Sequence, residues 1–273
     1  MNASETTVKA LSGQRALVTG ANSGIGAAVA RSMAAAGARV VINYVTAEDK
    51  ANELVDEIRS SGGEAMAIHA DVSNEEDVQR MFHRVIEAYG SVDLLVNNAG
   101  LQRDAKFLDM SLKQWNFVLG VNLTGQFLCA REAAKEFVRR GVQADLSCAA
   151  GKIICMSSVH DQIPWAGHAN YAASKGGIAM LMKTMAQELA QYHIRVNSIA
   201  PGAIKTPINK SAWDSTDTEQ ELLKLIPYGR VGDPDDVGKV AVWLASDAAD
   251  YLTGVTLYVD GGMMLYPGFR TGG

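Results

Sequence analysis

Short apolar runs alternate with amphipathic stretches along almost the whole chain. Residues 15–19, 39–42, 65–70, 93–96, 152–158, 194–199 and 255–259 are rich in Val, Ile, Leu, Met and Ala. Runs of this length and composition read as strands buried on both faces. The stretches between them carry the helical period instead. Ile25, Ala28, Val29, Ser32, Met33 and Ala36 fall on one small, apolar face, and Gly37 ends that helix. Ala51, Leu54, Val55 and Ile58 make a second stripe, stopped by Gly62 and Gly63. Val78, Met81, Phe82, Val85, Ile86 and Tyr89 make a third, with Gly90 behind it. Helical patterns also cover about 111–140, 169–191 and 235–244. Strands alternating with helices predict an α/β chain with a seven-stranded parallel sheet, doubly wound, and helices on both faces. Residues 1–13 form a polar lead-in and 141–151 a loop of small residues. Residues 203–228 read as irregular or short helices. That is long for a connection, so the segment is a candidate lid.

Composition narrows the partners more than the fold. The 273 residues suit one domain spanning 1–273, and 48% hydrophobic content supplies a large core. The net charge of −5 is spread along the chain without a basic block, which argues against nucleic acid or an anionic membrane surface as partner. No apolar run approaches the ~18–20 residues of a membrane span. The first residues are polar and lack the apolar core of a secretory leader. Cys129, Cys148 and Cys155 are odd in number and without metal-type spacing, as expected of free thiols in a cytoplasmic protein. His69, His83, His160, His168 and His193 are dispersed, and no metal site is expected.

The first predicted strand runs straight into T-G-A-N-S-G-I-G at residues 19–26. A glycine turn between a strand and a helix presents free N–H groups and the positive end of the helix dipole, a ready site for a pyrophosphate. Gly20 permits the tight turn, Gly24 lets backbone approach the phosphates, and Gly26 lets the helix pack on the strand. Asn22, Ser23 and Ile25 complete the turn. A strand before it and a helix after it are the context that a dinucleotide motif requires, so the domain is expected to be of the Rossmann type. NAD-binding versions carry an acidic residue at the end of the second strand, gripping the ribose 2′-OH. Here that region reads Asn43, Tyr44, Val45, Thr46. With no carboxylate to repel a 2′-phosphate, and with Tyr44 set against the cofactor, use of both NAD and NADP is expected.

Tyr171 and Lys175 sit one helical turn apart on one face. A free phenol titrates near ~10 and is a poor base at neutral pH. A neighbouring ammonium favours the phenolate. Lowering the phenol by two to three units takes roughly 3–4 kcal/mol, which a lysine and the positive edge of a bound nicotinamide would together supply. The pair would then act as a general acid–base. Y-x-x-x-K alone occurs by chance in many helices. Here Ser158 lies thirteen residues upstream, at the end of the fifth predicted strand, and Asn97, Asn98, Ala99 and Gly100 follow the fourth.

T-G-x-x-x-G-x-G, N-N-A-G and Ser158 with Y-x-x-x-K, in this order, resemble the short-chain dehydrogenases/reductases over nearly the whole chain. The resemblance implies a catalytic tetrad of Ser158, Tyr171, Lys175 and Asn122. Ser158 would hydrogen-bond the substrate oxygen. Tyr171 would take the hydroxyl proton as hydride leaves carbon for C4 of the nicotinamide. Lys175 would hold the ribose hydroxyls and lower the tyrosine pKa, and Asn122 would anchor a water in a proton relay. An asparagine within a helix can also simply bond backbone. Asp71 and Val72 match the family's adenine contacts, although Ser73 with Glu76 also reads as a capping box there. Asn98, Ala99 and Gly100 would line the cofactor, and an asparagine at that point can also tie neighbouring strands. Pro201, Gly202, Ile204 and Thr206 match P-G-x-x-x-T, which holds the nicotinamide carboxamide. NADP-preferring members offer a basic residue where this chain has Val45 or Ser23.

Residues 156–165, 171–177, 201–209 and 260–269 resemble the bacterial glucose 1-dehydrogenases within that family. This implies oxidation of D-glucose at C1 to gluconolactone by a homotetramer, with the tail 260–273 at a subunit interface through Met263, Met264, Leu265, Tyr266 and Phe269. His160, two residues past Ser158, and Gln102 are the expected substrate contacts. Gln102 stands where that group has an acidic residue, residues 166–170 are smaller than usual, and the loop 142–151 is longer. A 3-oxoacyl thioester or general carbonyl reductase is therefore the alternative enzyme. A cofactor-sensing binding protein that had lost its chemistry would show an eroded tetrad, and all four residues are present.

Overall fold

The computed structural model describes residues 9–265. Seven strands form one parallel sheet in the order β3-β2-β1-β4-β5-β6-β7. They are β1 (Arg15–Val18), β2 (Arg39–Tyr44), β3 (Glu64–His69), β4 (Leu94–Asn97), β5 (Gly151–Met156), β6 (Ile194–Pro201) and β7 (Thr256–Val259). The helices are α1 (Gly24–Ala35), α2 (Glu48–Ser60), α3 (Glu75–Tyr89), α4 (Leu112–Leu119), α5 (Gly125–Arg140), α6 (Ala169–Leu189), α7 (Thr216–Leu223) and α8 (Pro234–Ala245). The chain winds outward from β1 to β3, then returns to place β4 on the other side of β1. The order reverses between β1 and β4, and in open parallel sheets the crevice at such a reversal is where ligands bind.

Side-chain alternation divides the core into two layers, as strands buried on both faces require. Val18, Val40, Ile42, Leu94, Val96 and Ile154 pack with α1, α2 and α8 on one face. Leu17, Val41, Leu95, Ile153, Cys155 and Val196 pack with α3, α5 and α6 on the other. The predicted stripes hold: Ala51, Leu54, Val55 and Ile58 are all buried, and so are Val78, Met81, Phe82 and Val85.

Two local expectations are corrected. The cap of α3 is Asn74, whose side chain accepts from the Asp77 amide at 3.0 Å. Ser73 instead turns back to Asp71, giving it bonds from both its amide and its hydroxyl. The capping box of Ser73 and Glu76 does not form, because the N-cap lies one residue later and Asn74 supplies the oxygen to the first turn. The single helix expected across 111–140 is three pieces, with a π-helical segment, Gly120–Thr124, between α4 and α5. Inserts of this kind re-aim side chains and recur at functional sites.

Residues 203–228 begin with a 3₁₀ segment, Pro207–Ala212, followed by α7. Lys205 pairs with Glu219 at 3.1 Å across it. The end of this segment meets the start of the C-terminal tail, where the Tyr228 amide donates to the Gly261 carbonyl at 3.0 Å. Asp260 turns that tail by accepting from the Gly262 and Met264 amides. The tail residues Tyr266 and Phe269 lie outside the described residues.

The contact between α5 and β5 leaves no room for a side chain at Gly151. A β-carbon there would sit 2.1 Å from the ring of the fully buried Phe137. Gly151→Ala is expected to destabilise the fold by about 1–3 kcal/mol through overpacking, read as a lower midpoint in urea unfolding with an unchanged slope. An unchanged midpoint would mean that the ring moves freely aside.

Candidate active site

The glycine turn after β1 is held from three sides by polar side chains, of which Thr19 and Asn43 are buried and Asn98 is half-buried. Gly20 and Gly24 adopt left-handed backbone, with φ of 58° and 53°, which glycine alone accepts at low cost. A β-carbon on Gly20 would lie 2.9 Å from the Ala99 backbone, and one on Gly26 would lie 2.6 Å from the Gly20 carbonyl. The turn is therefore closed against side chains. Asn98 donates to the carbonyls of Thr19 and Gly20 at 2.9 and 3.0 Å. Thr19 accepts from the Asn98 and Ala99 amides, each at 3.0 Å. Asn43, 1% exposed, accepts from the Gly20 amide and donates to the Ala70 carbonyl at 2.9 Å, joining β1, β2 and β3. The strand-tying role of Asn98 is thus present, and Thr19 and Asn43 join it. Thr19 opens the glycine motif in the sequence, but the bracing role of either residue was not legible there, because a Thr or Asn at a strand end signals only a turn.

Beyond the turn, α1 begins at Ser23, whose side chain makes no capping bond, with no acidic residue in the first turn. α2, α3, α4, α7 and α8 are capped or carry acidic first turns, whereas α1, α5 and α6 do neither. The first amides of α1, at the end of the glycine turn, are thus free of a side-chain cap, which fits the pyrophosphate of a dinucleotide. Asn22 fastens the neighbouring loop through the Thr46 carbonyl at 2.7 Å. Ile25 is half-buried against the core. Thr206 is buried, and a β-carbon on Gly24 would touch it at 3.4 Å, so the start of the 203–228 segment lies on the turn. Ile204 is buried and bridges to Gly232. Pro201 ends β6, and the Gly202 amide donates to Val259 at 3.1 Å.

On the adenine side, Asp71 spends Oδ1 on Ser73, and Oδ2 takes no bond among the described residues. Val72 is buried against Gly125, where a β-carbon would meet it at 2.8 Å. Tyr44 is nearly buried, with its ring edge-on to His69 at 5.6 Å. The exposed residue at this corner is Val45, followed by acidic Glu48 and Asp49 in the first turn of α2. Lys50 is exposed in the same turn, and Arg84 acts on the Tyr44 phenol from α3.

The catalytic candidates converge after β4 and β5. The Ser158 hydroxyl accepts from the His160 amide at 3.2 Å, which leaves its own hydrogen for a neighbour. Ser158 and Gln102 both face the Tyr171 oxygen and favour its ionised form, while burial and Asp104 oppose it. Burial is the largest effect, so the phenol is raised above its ordinary value. Without cofactor, desolvation of a phenolate outweighs the available donors, while the lowering expected of Lys175 with a bound nicotinamide belongs to the cofactor-bound state. Lys175 lies over the Tyr171 ring, with Nζ 5.4 Å from the centroid. It is buried and donates to the Met156 carbonyl at 2.9 Å. Burial pulls its amine down to about 8.

Asn122, at the centre of the π segment, is fully buried. It accepts from the Leu101 amide at 2.8 Å and donates to the Leu101 carbonyl and the Ser174 hydroxyl, both at 3.1 Å. A β-carbon on Gly100 would touch its oxygen at 3.4 Å. The bonding to backbone foreseen for a helix asparagine is what its side chain does. Asn170, unnoticed in the sequence, does the same one residue before Tyr171, donating to the Arg103 carbonyl at 2.9 Å. Two buried asparagines thus fix the loop that carries Gln102.

His160 forms one wall. Its Nδ1 meets the Ile163 carbonyl at 3.0 Å, and its ring stacks on Trp165 at 4.3 Å. The other face of Trp165 is covered by His168 at 3.6 Å, and His168 Nε2 lies 3.3 Å from Asp104. Burial holds His160 below its ordinary pKa. His160 and Trp165 both present edge-on contacts to Tyr171, at 6.3 and 6.2 Å. Among the described residues no group of His, Cys, Asp or Glu is placed to hold a metal ion, and no helix is long and apolar enough to cross a membrane.

The family model described as enoyl-(acyl carrier protein) reductase matches residues 20–264. The chain is a short-chain dehydrogenase/reductase. It is 47% identical to 3β-hydroxysteroid dehydrogenase 1 of Eggerthella lenta over 262 residues, covering 96% of this chain and 98% of that one. It is 40% identical to glucose 1-dehydrogenase 2 of Bacillus subtilis, covering 95% and 98%. A solved gluconate 5-dehydrogenase from Burkholderia cenocepacia, in complex with NADP and tartrate, superposes with a TM-score of 0.87 at 37% identity, covering 95% and 98%. This dehydrogenase is accordingly an NAD(P)-dependent oxidoreductase.

Two measurements follow from this geometry. Ultraviolet titration of the cofactor-free enzyme against Tyr171→Phe is expected to show the Tyr171 phenol ionising above its ordinary value near ~10, and lower once cofactor is bound. Ionisation below ~10 without cofactor would contradict the dominance of burial. At the Val45 corner, Val45→Arg is expected to raise kcat/KM for NADP relative to NAD by about tenfold, one charge-assisted contact to the 2′-phosphate. An unchanged ratio would mean that the ribose is gripped elsewhere.

Proposed function

We propose that this dehydrogenase interconverts a ring-borne secondary alcohol and its ketone or lactone, with Tyr171 as the acid–base. The observation that carries the reading is the convergence of Ser158 and Gln102 on the Tyr171 oxygen, with the Lys175 ammonium behind the ring. A nicotinamide held here would supply the hydride acceptor or donor for the carbinol carbon. Tyr171 takes the hydroxyl proton in the oxidative direction and gives it back in reduction. Ser158, its lone pair engaged by the His160 amide, donates its hydrogen to the substrate oxygen. The Gln102 side chain steadies the phenolate. One Lys175 hydrogen goes to Met156, which leaves two for ribose hydroxyls. The Asn122 side chain, bound to Leu101 and Ser174, serves as a brace for the Gln102 loop. Gly20, Asn22, Ser23, Gly24, Ile25 and Gly26 hold the pyrophosphate end, Asp71 and Val72 the adenine, and Pro201, Gly202, Ile204 and Thr206 the carboxamide. Residues 203–228 act as the lid of this one catalytic domain.

For the body of the substrate, an apolar ring system such as a hydroxysteroid is the first reading. Sugars commonly rest on an open tryptophan face, and here both faces of Trp165 are covered by histidines. The rim, which follows the C-terminal ends of β4 and β6, exposes Phe107, Leu108, Ile208 and Tyr228. The Ala105 amide ties that first segment to Gly167. The higher identity to the E. lenta hydroxysteroid enzyme supports this direction. Oxidation of D-glucose at C1 is the second reading. It is favoured by the polar pair Gln102 and His160 beside Tyr171 and by the B. subtilis relative. Unpaired thiols, one of them exposed, suit a reducing cytoplasm. A homotetramer is part of the reading, because Phe127, Val138 and Met180 leave exposed apolar groups on α5 and α6.

Turnover of hydroxysteroids, glucose and a 3-oxoacyl thioester, each with NAD and with NADP, decides the substrate. Hydroxysteroids are expected to give the highest kcat/KM. Tyr171→Phe is expected to lower kcat by about 10²–10⁴-fold, the worth of a general acid–base, with cofactor affinity nearly unchanged. Activity retained above a few per cent would remove Tyr171 from this role.

A further inference from the structure

Lys175 is an ammonium buried without a direct ionic partner. Its side chain is 4% exposed, and its one hydrogen bond goes to a neutral carbonyl, Met156. A buried amine left to itself sheds its proton, because burial penalises the charged form. Among the described residues only one carboxylate opposes that loss, and it is Asp161. Asp161 closes the short 3₁₀ turn Val159–Asp161 that follows Ser158. Its amide donates to the Ser158 carbonyl at 2.9 Å.

The Asp161 carboxylate is held at both oxygens. Oδ2 accepts from the Ser157 hydroxyl at 2.9 Å. Oδ1 accepts from the Tyr258 hydroxyl, on the edge strand β7, also at 2.9 Å. The same Ser157 hydroxyl lies 3.5 Å from the Lys175 carbonyl. A β-carbon on Gly176 would come within 3.9 Å of the Asp161 carbonyl, so α6 rests on this turn one residue past the lysine. The other titratable groups around Lys175 carry no negative charge at neutral pH. The Cys155 thiol of β5 is pushed up to about 12 by burial. Tyr171 of α6 is raised, and Tyr258 of β7 is pushed up to about 12 beside Asp161. His160, in the same turn, is held towards its neutral form.

We propose that Asp161 is a positioning residue for the catalytic pair: pinned by Ser157 and Tyr258, its carboxylate is the counter-charge that keeps Lys175 an ammonium behind Tyr171. The inference rests on the reading of Tyr171 and Lys175 as the acid–base pair. Asp161 touches neither substrate nor cofactor in this role. It acts through the electrostatics of the lysine.

The sign of the effect gives a signature that a packing role would not produce. Removing the carboxylate lets Lys175 lose its proton at lower pH. The parent and Asp161→Asn then differ most in the window between the new, lower value and about 8, where only the parent keeps the ammonium. At lower pH both are protonated, and well above that window neither is.

The experiment is a titration of the full-length enzyme labelled with ¹⁵N-lysine, with the Lys175 amine assigned through Lys175→Arg. It is paired with the pH profile of kcat for carbonyl reduction. In Asp161→Asn the amine is expected to titrate about one unit lower, roughly tenfold in proton affinity. The rate deficit should peak within the window and close towards acid, and Asp161→Glu should restore both. Tyr258→Phe keeps the charge and loses one hydrogen bond, so its Lys175 titration should match the parent. Asp161→Ser stands in if the asparagine variant does not fold. An unmoved amine in the charge-free variant, or a deficit equal at every pH, would overturn the proposal. So would a Tyr258→Phe shift as large as that of Asp161→Asn. Failure of the acid–base reading itself would appear elsewhere, as turnover surviving in Tyr171→Phe, and would leave the amine titration interpretable.

Discussion

Everything at the catalytic end of the sheet is arranged around a buried positive charge. Taking an ammonium out of water costs several kcal/mol unless other groups replace its hydration. Lys175 receives one carbonyl directly and, at longer range, the charge of an Asp161 carboxylate that is itself bonded by Ser157. The amine consequently falls to about 8. It stays charged at neutral pH by a narrow margin, and that margin makes its surroundings matter. A β5 strand that ended one residue earlier would move the Met156 carbonyl out of reach. A looser turn after Ser158 would carry Asp161 away. The strictness of the fold at this point follows from the electrostatics rather than from packing alone.

The second constraint is the satisfaction of buried backbone in turns that glycine has opened. Left-handed turns at Gly20 and Gly24 expose amides and carbonyls that no strand or helix pairs. Asn43, Asn98 and Thr19 fill those positions on the cofactor side, and Asn122 and Asn170 do so on the substrate side. Each amide side chain bonds backbone distant from its own position in sequence. Together they brace the loops after β1, β3 and β4, so the cleft can be shaped before any ligand arrives.

This difference between local and distant causes explains what the sequence made legible. The strands, the apolar stripes of α1 to α3 and the glycine turn announced themselves, because each is determined by residues within a few positions. The π segment did not, since nothing in Gly120, Val121 and Asn122 distinguishes it from a regular helix, and the pull comes from Leu101 and Ser174. The motif residues of the site were readable by type and spacing, and the structure brings Ser158, Gln102, Tyr171, Lys175 and His160 together. Their protonation was not readable. The spacing of Tyr171 and Lys175 suggested a lowered phenol, whereas the outcome depends on burial, which only the folded chain defines. Asn43 and Asp161 were silent for the same reason, because their partners are contributed by other strands.

The stability of the protein should carry a trace of Lys175. Its folded value near 8 lies below the 10.5 of the unfolded chain, so between those values the unfolded state binds more protons. The group therefore makes the fold more stable as pH rises through that window, and below it the cost is full and constant. The size of that cost is about 3 kcal/mol on the scale of 1.36 kcal/mol per unit, a large share of the margin of an ordinary domain. A hydrophobic residue of the same volume would avoid it. That the chain places a lysine there, under a phenol and beside a pinned carboxylate, is intelligible only if the charge itself is used. A cofactor bearing phosphates, bound on the glycine turn, would offset part of the cost. The cofactor-bound enzyme is then the state for which this arrangement of charges is suited.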